Sequence, residues 1–145
     1  MNQGANEIVP FLAVRNLRDT VAFYVQGLGF EMIGDWEEEG VLRWCKLRLG
    51  KAAFMFQQFK TEGPDAKTFG PGKGDGVIFC IFCDDVIPLY AGFVENGIKA
   101  SVPQVGNGLW ATTLMDPDGY RLDFESPTDE PEDTKWSAGK PGERK

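Results

Sequence analysis

The pattern of apolar and polar positions in the first half of the chain predicts one strand, one helix and three further strands. Residues 8–14 form an apolar run of strand length, and Asn16 stands where a helix N-cap is expected. Apolar residues then recur at helical intervals of three and four as far as Gly27. The next strands are predicted at 30–37, 41–49 and 51–58, and the short breaks between them favour antiparallel hairpins.

The second half repeats this order. A strand at 76–83 precedes a helix that is capped by Asp84-Asp85 and ended by Asn96-Gly97, and strands follow at 98–105, 109–115 and 121–126. The two helix starts are separated by 69 residues, close to half the chain, as an internal duplication requires. We therefore predict an α+β domain of two βαβββ repeats.

The predicted domain covers residues 1–126, with repeats at about 7–58 and 76–126. The Gly- and Pro-rich residues 59–75 predict a long mobile loop between them. Residues 127–145 are rich in Pro, Gly and charge, and Trp136 is their only large apolar residue. This tail is expected to be either poorly ordered or a strap over the core that is held by Trp136.

Composition narrows the range of functions. The 145 residues carry a net charge of −7, which argues against nucleic acid or an anionic membrane as a partner. Because there is no histidine, the commonest metal ligand and the usual general base at neutral pH are missing. No apolar stretch reaches membrane-spanning length and the N-terminus does not have the pattern of a secretion signal, so a cytoplasmic protein is expected.

The cysteines predict no disulfide framework. Cys45, Cys80 and Cys83 cannot all pair, and reduced thiols fit the expected compartment. In a strand, residues three apart point to opposite faces, so Cys80 and Cys83 do not readily share a disulfide or a metal. Both are interpreted as core cysteines.

Two stretches carry a family resemblance. Residues 9–17 lead through Phe23-Tyr24 to Gly27-Leu28-Gly29-Phe30, and residues 116–124 begin with Asp116-Pro117-Asp118-Gly119. They resemble the vicinal oxygen chelate superfamily of glyoxalase I, bleomycin resistance proteins, fosfomycin resistance enzymes and extradiol dioxygenases. The resemblance implies modules that form a half-open curved mixed sheet with helices outside and a ligand cleft within, assembled as homodimers.

The same resemblance implies four metal-holding positions, which in this chain are Val9, Met55, Ile78 and Asp123. Three of these side chains are apolar, and one carboxylate beside a thioether is too few donors for a divalent ion. We therefore expect no metal and no other cofactor. The pattern is closest to the metal-free bleomycin resistance branch.

The candidate ligand-binding residues combine the four carried-over positions with neighbours on the predicted strands. Alternation along residues 121–125 places three charged side chains on one face, which we expect to line the cleft. Tryptophans on three strands, including Trp36, suit a flat ligand, although core or dimer packing explains any one of them equally well. The full set is Val9, Trp44, Met55, Gln57, Ile78, Trp110, Arg121, Asp123 and Glu125.

The function hypothesis is a metal-free protein that sequesters a small aromatic or cationic compound in a dimer cleft. The preference for a cation rests on Asp123, Glu125 and the negative net charge. An alternative from a different class is a metal-independent isomerase or lyase of the same fold that uses Asp123 or Glu125 as acid or base. A third is a protein-interaction module. The expected partners are a small molecule and a second copy of the chain, not nucleic acid or a membrane.

Overall fold

The chain folds as a βαβββ motif that occurs twice, as the sequence predicts. The computed structural model describes residues 3–60, 62–64 and 73–138. They divide into two compact units, one built on the first motif and one on the second, with residues 26–28 belonging to the second. The α+β fold class is thereby confirmed. The predicted loop at 59–75 falls in large part on positions outside the described residues.

Each unit contains one helix and one four-stranded sheet. In the first unit the elements are β1 (Phe11–Val14), α1 (Leu17–Val21), a π-helical segment (Ala22–Gly27), β2 (Glu31–Glu38), β3 (Val41–Leu49) and β4 (Ala52–Gln58). In the second they are β5 (Ile78–Phe82), α2 (Val86–Glu95), β6 (Gln104–Gly106), β7 (Leu109–Met115) and β8 (Arg121–Pro127). None of the described helices is long and apolar enough to cross a membrane.

Three strands are clearly shorter than predicted: β5, expected at 76–83, spans 78–82, and in β1 and β6 backbone hydrogen-bond donors are missing or diverted. β1 begins at Phe11, since the nitrogen of Pro10 cannot donate to a ladder. β6 was expected from residue 98 and begins only at Gln104. Before it, Pro103 again lacks a donor, and the side-chain hydroxyl of Ser101 accepts from Thr113 N at 2.9 Å where a strand would supply its backbone carbonyl.

Both sheets have the same order and register. The orders are β1-β4-β3-β2 and β5-β8-β7-β6, and the first pair in each is parallel. Phe11 lies opposite Met55 in the first sheet, and Cys80 lies opposite Asp123 in the second. The two halves therefore superimpose in register, which is the equivalence that the 69-residue repeat predicts.

The core of the first unit is the space between its sheet and its helix. Asn16 caps α1 by accepting from Asp19 N at 3.1 Å, which fixes where the helix begins. Tyr24 then packs on Phe54 and Phe56, with ring centroids 5.9 and 4.7 Å apart. Since these residues are all buried, the helix covers this face of the sheet.

The core of the second unit is built in the same way. Asp85 caps α2 through Ile87 N at 3.1 Å, and the buried Phe93 meets Phe124 edge to face at 4.9 Å. Leu122 and Leu114 complete this side of the sheet. The helix again covers one face only.

Part of the tail forms a strap along β6. Val105 N donates to Thr134 O and Trp136 N donates to Pro103 O, both at 2.9 Å. The Trp136 ring packs against Tyr90 of α2 with centroids 5.9 Å apart. Of the two expectations for the tail, the strap describes residues 128–138, while 139–145 lie outside the described residues.

A buried ion pair fixes the chain that enters the second unit. Lys73 Nζ lies 3.1 Å from Asp118 Oδ1, and the two side chains are only 6% and 4% exposed. The following Gly74 lies against the turn at 116–119, where a Cβ would come within 2.8 Å of Gly119 O. This contact brings the segment before β5 against the turn that precedes β8.

We expect Lys73→Met to lower the free energy of unfolding by about 3–5 kcal/mol, because it leaves the Asp118 carboxylate buried without its partner. Lys60→Met is the matched control, since Lys60 pairs with Glu38 at 3.8 Å through exposed side chains and is expected to cost about 1 kcal/mol or less. Adding Asp118→Ala to Lys73→Met should restore part of the loss. Urea unfolding measures all three, and equal values for Lys73→Met and Lys60→Met would contradict the prediction.

Candidate functional site

Seven of the nine candidate site residues lie on the faces of the two sheets that their own helices do not cover. Strand side chains alternate between faces, so the neighbours of each buried core residue point away from the helix. We call these surfaces the first helix-free face, on β1–β4, and the second helix-free face, on β5–β8. Each is described separately.

The first helix-free face is aromatic and apolar. Ala13, Gln57, Trp44 and Trp36 lie side by side in one row across the four strands. The next row consists of Phe11, Met55, Lys46 and Gly34. Phe11 and Trp36 are 55% and 51% exposed, so this face presents large rings to its surroundings.

Three predicted site residues, Trp44, Met55 and Gln57, are neighbours on this face. Val9 is half-buried and precedes β1, next to Pro10, whose carbonyl accepts from Met55 N at 2.8 Å. The sequence interpretation missed Lys46. Alternation would have found it, because it is two residues beyond Trp44 on the same strand.

The second helix-free face combines charged and apolar groups. Ile78, Cys80 and Phe82 of β5 lie opposite Arg121, Asp123 and Glu125 of β8. Ile78 and Phe82 are 49% and 67% exposed. Four of the predicted site residues, Ile78, Arg121, Asp123 and Glu125, are thus brought together here.

Asp123 is already engaged within the chain. Arg121 donates through Nε to Oδ1 at 2.9 Å and through Nη2 to Oδ2 at 3.1 Å, and Thr113 Oγ1 donates to Oδ1 at 2.9 Å. These hydrogen bonds and the carboxylate charge raise the pKa of Arg121. The two-residue separation on one strand places both side chains on the same face, and the long arginine side chain reaches the carboxylate there.

Cys80 is exposed on the second helix-free face, so its interpretation as a core cysteine is wrong. Partial desolvation, a hydrogen bond to Glu125 and the charges of Glu125 and Asp123 raise the pKa of its thiol. Cys83 lies beyond the strand end, half-buried, where its thiol donates to Glu125 O at 3.4 Å. The core interpretation fits Cys45, where burial first and then the charge of Asp35 raise the thiol pKa to about 12.

Trp110 does not belong to a helix-free face. It lies opposite Ser126 and Val105 and is 6% exposed, on the side of the sheet that carries Phe124. The prediction that Trp110 lines the ligand surface is therefore wrong. The apolar side of β7 was hard to identify because it contains Thr112, which is buried with its hydroxyl donating to Ser101 O.

The residues at the carried-over metal positions do not fit a metal ion. Val9 and Ile78 offer no donor atom, and Met55 offers only a thioether. Asp123 uses both oxygens on Arg121 and Thr113. The ligand atoms of Cys80, Asp123 and Glu125 lie within 4.8 Å of one another, but the bound guanidinium and the protonated thiol oppose a cation there.

The chain resembles known proteins both in sequence and in fold. A family model described as the glyoxalase/bleomycin resistance protein/dioxygenase superfamily matches residues 5–124. No curated protein sequence matches the chain.

Solved structures match over nearly the whole chain, at low sequence identity. TioX from Micromonospora sp. ML1 is 19% identical, with a TM-score of 0.66 over 85% of this chain and 99% of TioX. TnmS3, an antibiotic binding protein from Streptomyces sp. CB03234, is 19% identical, with a TM-score of 0.61 over 87% of this chain and all of TnmS3. A lactoylglutathione lyase from Agrobacterium tumefaciens is 18% identical, with a TM-score of 0.61 over 86% and 96% of the two chains. At this identity the matches show the fold alone, and a binding protein and an enzyme share it.

Proposed function

This chain belongs to the glyoxalase/bleomycin resistance protein/dioxygenase superfamily, and from that premise we propose that it is a metal-free binding protein that sequesters a small aromatic compound. The ligand lies against a helix-free sheet face. Binding lowers the free concentration of the compound and so protects the cell from it. This is how a binding protein confers antibiotic resistance.

The observation that carries the proposal is the exposure of large apolar side chains on the helix-free faces. Phe11, Trp36, Ile78, Phe82 and Met115 are each about half exposed or more, and all point away from the helices. Leaving such side chains half in water forgoes about 1 kcal/mol each, part of which a flat apolar ligand recovers on binding. Polar groups such as Gln57 are few and orient the ligand.

The pairing of Asp123 with Arg121 changes the ligand that the second helix-free face favours. A cation would have to compete with a bidentate guanidinium for the same oxygens. Aromatic character, rather than positive charge, is therefore the property on which the proposal rests.

The same pairing disfavours Asp123 as the acid or base of the enzymatic alternative and leaves Glu125 as its candidate. A general base must be free to accept the substrate's proton, and Asp123 accepts three hydrogen bonds from Arg121 and Thr113. The antibiotic binding neighbour TnmS3 adds support to binding as the function, at the level of fold.

The proposal includes a homodimer in a reducing compartment. Among the described residues, β1 pairs only with β4 and β5 only with β8, so each has a strand edge that a second copy can cover. The three cysteines are free, and one of them is exposed, which supports the cytoplasm as the location.

Neutral planar compounds such as 2-naphthamide are expected to bind saturably, and Trp44→Ala should weaken that binding about tenfold because it removes an aromatic contact. Calorimetric titration of the intact chain measures both. Val94→Ala is the control, since Val94 is an exposed apolar residue on α2, away from both helix-free faces. Absence of binding, or equal effects of the two substitutions, would refute the proposal.

The purified protein is expected to carry no stoichiometric transition metal, because only Asp123 among the four carried-over positions has a strong donor and that donor is engaged. Elemental analysis after dialysis is the measurement. About one zinc, iron, nickel or manganese per chain that is lost in Asp123→Ala would show that the metal-free assignment is wrong.

Light scattering at micromolar concentration is expected to give a mass of twice 16.1 kDa. The reason is the combination of uncovered strand edges with exposed apolar side chains. Phe82→Asp, which places a charge on the edge strand β5, should shift the equilibrium towards monomer, whereas Val94→Asp on α2 should not. A monomer mass for the unaltered chain across the concentration range would rule the dimer out.

A further inference from the structure

We infer that the first helix-free face selects planar ligands that carry an acidic group, and that Lys46 recognises this group. The inference rests on the proposed binding function and specifies its ligand class. It concerns a residue outside the carried-over metal positions.

The first argument is the position of Lys46 in the sheet. Its register places it between Met55 and Gly34, in the second row of the first helix-free face. The residue is half-buried, so part of its side chain is shielded from solvent by its neighbours on the face. A ligand that approaches the apolar side chains of this row therefore comes within reach of a positive charge.

The second argument is that Lys46 has no counter-charge among residues 3–60, 62–64 and 73–138. The other basic residues of β3 do have one: Arg43 lies 4.0 Å from Glu38, and Arg48 lies 3.3 Å from Glu31. Trp44, Lys46 and Arg48 each have cross-strand neighbours on the first helix-free face. Among those neighbours the one acidic residue is Glu31, and it pairs with Arg48. A lysine that pairs with no carboxylate among the described residues favours an anion supplied by the ligand.

The third argument is the aromatic surface beside Lys46. A Cβ built on Gly34 would lie 3.4 Å from Cη2 and Cζ3 of Trp44 and 3.7 Å from Cβ of Lys46. The Trp44 ring therefore extends over the position where Gly34 has no side chain, next to the stem of Lys46. Trp36 lies directly opposite Trp44 and is half exposed.

Together these groups define a ligand by its chemistry. The rings of Trp36 and Trp44 accept a flat aromatic system, the Gln57 amide can donate a hydrogen bond, and Lys46 contributes the charge. The complementary ligand is a planar aromatic acid, with a carboxylate, sulfonate or phenolate at its edge. The second helix-free face, with Glu125 and the Arg121–Asp123 pair, lacks such an uncompensated cation.

The experiment compares three probes that share one ring system and differ in charge: 2-naphthoate, 2-naphthamide and 2-naphthylmethylammonium. Calorimetric titration of the intact chain is expected to give a dissociation constant about tenfold lower for naphthoate than for naphthamide, with the cation weakest. Naphthamide binding as tightly as naphthoate would overturn this inference and leave the proposed function in place. No binding of any probe would overturn both.

Substitution of Lys46 isolates its contribution. Lys46→Met keeps an unbranched apolar stem and removes the charge, and it is expected to bring the affinity for naphthoate down to that for naphthamide, about tenfold, with little effect on naphthamide itself. Arg48→Met is the matched control, because it removes a cation from the same strand and face that Glu31 already compensates, and it should change either affinity by less than about twofold.

Equal effects of Lys46→Met and Arg48→Met on naphthoate binding would assign the preference to the general field of the face and overturn the role of Lys46. If Lys46→Met does not fold, Lys46→Gln provides the same comparison with a polar side chain. Salt supplies a further readout, since naphthoate affinity should fall with ionic strength in the parent protein and lose that dependence in the Lys46 variant.

Discussion

One helix can cover only one face of a four-stranded sheet, and this constraint accounts for most of the molecule. In both units the core forms where rings from the helical segment meet the sheet, Tyr24 on Phe56 and Phe93 on Phe124. Because strand side chains alternate, every core position has neighbours that point the other way. The core of each unit thus lies on one side of its sheet, and the side chains on the other side are free of that packing constraint.

The duplicated register allows two chemically different surfaces on one framework. Met55 and Asp123 occupy equivalent places, as do Phe11 and Cys80. Lys46 lies opposite Met55 in the first sheet, and Thr113 lies opposite Asp123 in the second. None of these side chains belongs to a core, so each can change its chemistry at little cost to folding. A fold shared at 18–19% identity by a binding protein and a lyase is consistent with that separation.

The elements whose bounds were predicted correctly are those in which the hydrophobic periodicity and the backbone hydrogen bonds favour the same structure. The bounds of β3 and β7 match the prediction, as does α2 between Asp85 and Asn96. β6 was overestimated because a side chain, Ser101, takes the place of a backbone partner there. Alternation alone gives no account of the π-helical segment, which the predicted helix did not anticipate.

The candidate site was predicted less well than the fold, for reasons of distance and register. Alternation placed Arg121, Asp123 and Glu125 on one face, as the structure has them, but it does not say which charges meet. The contact of Thr113 with Asp123 depends on how β7 is aligned with β8, which no short pattern encodes. Trp110 was assigned to the wrong face because the buried side of its strand also contains a polar residue, Thr112.

The strap along β6 marks a difference between the two halves of the chain. β2 and β6 are equivalent outermost strands, and the outer edge of such a strand accepts a foreign strand if it is left open. β2 carries the acidic residues Glu31, Asp35, Glu37 and Glu38 together with two register shifts, so charge and irregular geometry repel such an addition. β6, with the uncharged sequence Gln104-Val105-Gly106, is instead occupied by the chain's own tail through Val105 and Lys135. Residues 128–138 therefore cover an edge that would otherwise be open to aggregation, although none of these described residues belongs to either helix-free face.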